Sequence, residues 1–235
     1  MKALWIYVAL TTLTLAVFTL FPQLDLIVAH YFYDRGGFIG YDWIDRFGRD
    51  VFRVTPFVVL AVYAGLWAAK RTGVALRWSP NGKAIVFLIA TMVIGPGLVV
   101  NLGFKDHWRR PRPSHVQEFG GSDAFKRWWE NDGACEKNCS FVSGEAATGF
   151  WMVAPASILP PPWRAPAIAA AFAFGVAASL LRMAFGSHFL SDVLLGGLVT
   201  LIVIEIMRRI MFPKAEAPGG RAPSCASAAV GQESL

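Results

Sequence analysis

The chain has 235 residues, 55% hydrophobic and only 16% charged, with a net charge of +6. A water-soluble domain carries about 25% charged residues, and here the apolar residues come in blocks rather than stripes, which points to a protein embedded in a bilayer. The positive charge sits in loops, not on a soluble basic face, so nucleic acid is excluded as a partner in favour of anionic headgroups and phosphorylated lipids.

Six apolar segments follow one another: Ala3–Phe21, Val54–Ala69, Ala84–Phe104, Ala146–Pro160, Ala165–Leu181 and Phe189–Met207. They predict an all-α, polytopic membrane protein with six transmembrane helices in a bundle. The first segment follows a single Lys2 and runs into Pro22-Gln23-Leu24-Asp25 without a small-x-small cleavage motif. It therefore reads as a retained span rather than a secretory signal. Leu24–Tyr33 is an apolar run broken by Asp25 and His30. Two readings are open there: an amphipathic helix in the interface that admits a lipid sideways, or a helix packed on the bundle. Gly95-Pro96-Gly97 in the third segment is either a broken midplane helix of the kind transporters use or a kink and close-packing site. Consecutive prolines at Pro160, Pro161 and Pro162 cannot continue a helix and predict a tight turn. The expected organisation is one membrane domain over 1–212, with a loop at 105–143 between spans three and four, and a disordered tail over 213–235.

An even number of spans puts both termini on one side. Lys70-Arg71 and Arg208-Arg209, pressed against span ends, mark that side as cytoplasmic. The 105–143 loop then faces outward, into the periplasm if the membrane is a bacterial inner membrane. Cys135 and Cys139 lie in it at C-x3-C spacing and are expected to form a disulfide in an oxidising compartment, whereas Cys225 stands alone in the tail. A zinc site would need more ligands than the neighbouring His107 and His115. No metal and no cofactor are expected.

The charged residues fall at segment ends in three groups: Lys105-Asp-His-Trp-Arg-Arg-Pro-Arg112-Pro113, Ser143-Gly144-Glu145, and Arg182-x5-His188-x3-Asp192. A phosphomonoester carries about two negative charges near neutral pH, and a nucleophile is repelled until they are offset. Lys105, Arg112 and Arg182 supply fixed cations, with Arg offering a planar fork for phosphate oxygens. Pro111 and Pro113 stiffen the backbone around Arg112. Arg109 and Arg110 are further candidates, or face lipid headgroups. Ser143 and Gly144 suit a helix N-terminus, where free N–H groups form an anion site. His188 and Asp192, four apart, share a helix face, so a carboxylate at one ring nitrogen would leave the other free to attack phosphorus. Together these residues point to two displacements: a phosphohistidine forms on His188, then water hydrolyses it.

These residues resemble the type 2 phosphatidic acid phosphatase superfamily, whose pattern is K-x6-R-P, P-S-G-H and S-R-x5-H-x3-D. Lys105-x6-Arg112-Pro113 matches; Val142 and Glu145 replace the proline and histidine around Ser143-Gly144, and Leu181 replaces the serine before Arg182. The resemblance implies a helical bundle with its site outside the cytoplasm. Ile94-Gly-Pro-Gly-Leu-Val-Val-Asn101, Lys105-Asp-His-Trp108, Cys135-Glu-Lys-Asn-Cys-Ser-Phe141 and Gly149-Phe-Trp151 are similar to the lipid A 4'-phosphatase branch, which also carries an acidic residue at the position of Glu145. That branch implies lipid A or a precursor as substrate. For Glu145 three roles are open: the acid that protonates the leaving oxygen, a residue orienting a cation or water, or a helix-start residue. His107 and His115 are the alternative acids. The motifs alone also fit an undecaprenyl pyrophosphate or phosphatidylglycerophosphate phosphatase, a phosphotransferase or, outside enzymes, a transporter or lipid-binding protein. Trp128-Trp129 and Lys126-Arg127 in the outward loop suit a large anionic glycolipid or plain interfacial anchoring.

Overall fold

The computed structural model describes residues 2–40, 42–105 and 107–213. The expected tail, apart from Pro213, and Cys225 with it, lie outside the described residues. The elements in order are helix α1 (Lys2–Leu20), helix α2 (Gln23–His30), a hairpin of β1 (Tyr33–Asp34) and β2 (Gly37–Phe38), and helix α3 (Trp43–Arg71). Helix α4 (Gly82–Met92) continues as a π-helix over Val93–Lys105. Two 3-10 turns in the outward loop, Pro113–His115 and Gln117–Phe119, precede helices α5 (Gly144–Trp151), α6 (Val153–Ser157), α7 (Arg164–Ala184) and α8 (Leu190–Met211).

All six expected segments are helical. Among the described residues five helices are long and apolar enough to cross a membrane, α4 and its π continuation counting as one. The exception is Ala146–Pro160, which is built from the short α5 and α6. Pro155 has no N–H to offer the Trp151 carbonyl, so one straight helix cannot run through. These two short helices are nevertheless the centre of the protein. Trp151 is fully buried and its Nε1 donates to Thr91 Oγ1 of α4 at 3.0 Å. Tyr63 of α3 donates its hydroxyl to the Pro155 carbonyl at 3.1 Å. The outer helices α1 and α3 present Trp5, Leu13, Phe57, Val58 and Val62 outward. That is the pattern of helices whose outer faces meet acyl chains.

Gly95-Pro96-Gly97 resolves as neither a break nor a sharp stop. Pro96 cannot donate to the Met92 carbonyl, and that oxygen lies instead beside Gly97, five residues on. The wider turn persists to Lys105, and Asn101 Nδ2 donates to the Pro96 carbonyl at 2.7 Å. Gly95 sits against Thr200 of α8, so the triplet also serves close packing. Helix α3 extends upstream of the expected Val54 to Trp43, which carries a polar first half beyond the apolar stretch.

Helix α2 packs on the bundle. Asp25 and Ala29 face inward and are buried, while Ile27 and Tyr31 are exposed. The following hairpin turns through Arg35 and Gly36, both at positive φ, which is what a two-residue hairpin of right-handed strands requires. Its Phe38 packs on Phe119 and Tyr33, capping the loop that leads to His188. Gly186 in that loop has φ +58° and lies so close to Phe38 that a Cβ would fall 2.3 Å from the ring. Gly196 of α8 allows the Ser143 carbonyl to approach to where a Cβ would sit at 2.6 Å. Both contacts bring the chain around His188 and Ser143 closer than a side chain would permit.

Candidate active site

The three groups named from the sequence meet at one end of the bundle. Lys105 ends the π-helix, Arg112 follows in the loop, Arg182 lies in the last turn of α7, His188 stands in the loop before α8, and Asp192 lies in the first turn of α8. The backbone ties these pieces together: Cys139 N–H donates to the Lys105 carbonyl at 3.2 Å, Ser114 N–H to Gly186 at 2.9 Å, and Ser143 N–H to Asp192 at 3.0 Å. Cys135 and Cys139 form a disulfide in the same loop. The Arg112 Nη2 donates to the Asn138 carbonyl at 2.9 Å, next to that disulfide.

His188 is 2% exposed. Its Nδ1 is 2.7 Å from the Ser140 carbonyl. A carbonyl oxygen only accepts, so Nδ1 carries the proton and Nε2 keeps its lone pair. Burial, then Arg182, Arg112 and Lys105, hold the imidazole well below its ordinary value of 6.5, with the Ser140 carbonyl pulling the other way. The ring is therefore a neutral base surrounded by fixed positive charge.

Asp192 does not make the imidazole hydrogen bond that the spacing predicts. Its Oδ2 is 4.0 Å from His188 Nδ1. That oxygen accepts instead from the Ser140 hydroxyl at 2.5 Å and from Phe189 N–H at 2.9 Å, the latter a helix-start contact. Its Oδ1 accepts from Arg110 Nη1 at 2.6 Å. The carboxylate is thus the neighbour of the histidine, and Ser140 is the group that touches both.

Ser143 caps α5, accepting from Ala146 N–H at 3.3 Å. Glu145, in the first turn of α5, accepts from Arg49 Nη2 at 2.9 Å and Nε at 3.2 Å, and its other oxygen is 3.4 Å from Arg182 Nε. Arg49 and Arg182 both stand over the Phe185 ring at 5.9 Å. The residue that replaces the expected histidine therefore bridges two guanidinium groups, one of them from the phosphate-site motif. His107 and His115 are both exposed.

Several participants carry no signature in the sequence. Arg110 is fully buried, facing neither lipid nor solvent. Asp25, Ser140, Ser191 and Arg49 have no motif to announce them. The one available signal is Asp25 interrupting an apolar run, and that interruption fits a buried pair as well as it fits a wet helix face. Trp128, a candidate headgroup contact by its sequence position, donates Nε1 to Thr19 Oγ1 at 3.1 Å and stacks on Phe141, so it seals the loop against α1.

A neutral imidazole whose Nδ1 is held on a carbonyl, buried among three cations at one end of a helical bundle, is an arrangement chemically suited to an anion. The chain belongs to the PAP2 superfamily, whose family model matches residues 82–216, from α4 to just beyond α8. It is 36% identical over 210 residues to a protein of Francisella tularensis subsp. novicida named lipid A 4'-phosphatase, covering 85% of this chain and 91% of that one. It is 33% identical over 224 residues to a protein of the same name from Rhizobium leguminosarum, covering 88% and 94%. A third protein of that name, from Rhizobium etli, is 32% identical over 209 residues, covering 82% and 81%. No solved structure matches the chain significantly.

Proposed function

We propose that the protein is a metal-independent membrane phosphatase that removes the 4'-phosphate of lipid A or of its precursors through a phosphohistidine. Residues 1–212 would form the catalytic unit, set in a bacterial inner membrane with the site on the periplasmic face and both termini in the cytoplasm. The observation that carries the chemistry is the imidazole: Nδ1 fixed on the Ser140 carbonyl at 2.7 Å, with Lys105, Arg112 and Arg182 around it. The lipid A assignment rests on the three relatives and the extent of the likeness.

In this reading Nε2 attacks phosphorus in line. The bond from phosphorus to the sugar oxygen breaks, and that oxygen leaves as the alcohol with a proton taken from solvent water. That proton is returned when water attacks in the second step. Lys105, Arg112 and Arg182 offset charge on the equatorial oxygens. The ring becomes positively charged as the N–P bond forms, and the Ser140 carbonyl and the Asp192 carboxylate behind it favour that charge. Water then attacks the phosphohistidine from the opposite side, and inorganic phosphate leaves. Of the three roles open to Glu145, orienting Arg182 has the best geometric support, because its oxygens meet Arg49 and Arg182. The periplasmic placement draws on Lys70, Arg71, Arg208 and Arg209 at the opposite end of the bundle.

The direct test is phosphate release from a phosphorylated disaccharide lipid by detergent-solubilised protein, with mass analysis of lipid A from cells with and without it. A lipid A that keeps its 4'-phosphate in both cells, while phosphate is released from another lipid, would keep the phosphatase and remove the substrate. A wild-type protein that releases phosphate from none would sink both.

A further inference from the structure

Arg110 lies inside the first motif, between Lys105 and Arg112, yet it points away from solvent and the guanidinium is held on every side. Its ring neighbours are Phe189 at 4.5 Å and Phe125 at 5.6 Å. Nε donates to the Lys126 carbonyl at 2.9 Å, Nη1 to Asp192 at 2.6 Å and to Ser191 Oγ at 2.9 Å, and Nη2 to Asp25 at 2.7 Å. A buried guanidinium this fully engaged is a fixed part of the framework and is not available to a phosphate.

The contacts close into a ring that ends on the nucleophile. The Arg110 carbonyl accepts from Ser140 N–H at 2.9 Å, and the Arg110 side chain grips Asp192. Asp192 accepts from the Ser140 hydroxyl, and the Ser140 carbonyl holds His188 Nδ1. Ser140 is thus held by Arg110 from two directions, through backbone and through Asp192. Asp25 completes the arrangement from α2: its Oδ1 accepts from Ser191 N–H at 2.9 Å, and its Oδ2 from Ser191 Oγ at 2.6 Å and from Arg110. Asp25 lies in α2, before the stretch 82–216 that the superfamily model matches, so this support reaches the site from the N-terminal part of the chain.

We propose that Arg110 and Asp25 are positioning residues of the reaction, fixing Ser140 and Asp192 so that His188 is aimed at phosphorus, with Asp25 leaving the rear of the imidazole net negative. The inference rests on the phosphatase reading above. The groups facing His188 are Lys105 from the π-helix, Arg112 and the Ser140 carbonyl from the loop, Arg182 from α7 and Asp192 from α8. Behind Asp192 stand one cation, Arg110, and one further carboxylate, Asp25. One guanidinium against two carboxylates leaves one negative charge there, on the Nδ1 side of the ring. The positive charge that the ring acquires on phosphorylation is stabilised by that residual charge.

The test compares wild type with Asp25→Asn and Arg110→Gln on a phosphorylated disaccharide lipid in micelles, across pH. Arg110→Gln is expected to lower kcat about 100-fold, since small misplacements of a reacting group cost that much, with KM within about twofold of wild type on the same ground. Asp25→Asn, which leaves Arg110 on Asp192, is expected to lower kcat about tenfold, the smaller part of the same effect. The acid limb of kcat/KM should move in opposite directions. Losing the carboxylate of Asp25 lowers the His188 pKa further, and losing the cation of Arg110 raises it. Guanidinium ion should partly restore Arg110→Ala.

An acid limb fixed in both variants, with activity falling only in step with the fraction of folded protein, overturns the proposal. So does a change confined to KM. If Arg110→Gln does not fold, Asp25→Asn alone decides the matter through its kcat and its acid limb. A wild type that releases no phosphate strikes the phosphatase reading instead, so the two failures are told apart.

Discussion

The two ends of the bundle hold ion pairs of the same chemical kind in opposite settings. At the site end Arg110, Asp25 and Asp192 are all at most 2% exposed and are joined to His188 through Ser140. At the other end Glu205 is buried, but its partners Arg208 and Arg209 reach outward with 43% and 31% of their side chains exposed. Trp78, Lys83 and Phe212 surround that end, with Lys83 over the Phe212 ring at 5.4 Å. Charge withdrawn from solvent is costly unless every partner is in place, and charge at a rim is cheap and adaptable. The buried set can therefore fix a geometry, whereas the rim set can adapt to its surroundings. If that contrast is right, substitutions at the site end should alter turnover, and equivalent substitutions at the rim should not.

The largest effect is expected from His188→Ala. Phosphate release should fall by about four orders of magnitude or more, as when a nucleophile is removed from a working unit. Wild type incubated with radiolabelled lipid should give an acid-labile, base-stable phosphoprotein that the variant does not give. Substantial turnover by His188→Ala would place the nucleophile elsewhere. Next comes Arg182→Gln, which removes one fixed cation and should cost about 10²–10³ in kcat. It should also move the acid limb of kcat/KM upward. The sign follows from the cause: Arg182 is the leading charge that keeps His188 below 6.5, so its removal makes protonation easier and loses the neutral nucleophile at higher pH. Substrate phosphate titrates with a second pKa near about 6, but that contribution is common to both enzymes and cancels in the comparison.

How far the sequence can lead is itself different for the two halves of the site. Lys105, Arg112, Arg182 and His188 are legible because phosphate chemistry restricts residue type and spacing, and because each falls at the end of an apolar block. The helices are legible from the same blocks. What escapes is everything defined by a contact between distant pieces of chain. Arg110 reads as one more basic residue among four in eight positions, and nothing local separates a phosphate ligand from a buried strut. Ser140 acts through its backbone carbonyl, which no sequence displays. The i+4 spacing of His188 and Asp192 predicts their shared neighbourhood correctly, but Asp192 turns to Arg110, Ser140 and Phe189 N–H and stays 4.0 Å from the ring. Pro155 is a local sign that the fourth span is two short helices, because a missing N–H inside a helix leaves one carbonyl unmet.

Glu145 and Arg49 test the edge of the site. If Glu145 orients Arg182, then Glu145→Gln and Arg49→Gln should have similar effects, about 1.5–3 kcal/mol in kcat/KM for a charged hydrogen bond. The double variant should lose less than the sum, since the residues share one network. An acid role predicts otherwise. Glu145→Gln would then fall far below Arg49→Gln, and p-nitrophenyl phosphate, whose leaving group needs no proton, would recover the difference. That recovery would return Glu145 to the acid role and leave Arg49 as its support.

The smallest effect should come from Glu205→Gln at the far end. The substitution leaves Arg208 and Arg209 without their carboxylate, but both guanidinium groups already reach the surface and can be solvated there. A half-exposed pair contributes about 1 kcal/mol or less, so a small drop in melting temperature is expected, with kcat and KM within about twofold of wild type by the same reasoning. Glu205 lies about 20 Å from Asp192 along the axis of the same α8, at the usual rise per residue. Leu201 and Ile204 pack between Glu205 and the centre of the bundle. A straight helix can transmit a displacement along its axis, and α8 is one physical route by which the rim could reach His188. A tenfold loss of kcat in Glu205→Gln, with the acid limb unmoved, would mean that α8 slides as a unit and that the two ends are not independent. An unchanged kcat would mean that the buried ring at the site end holds His188 by itself.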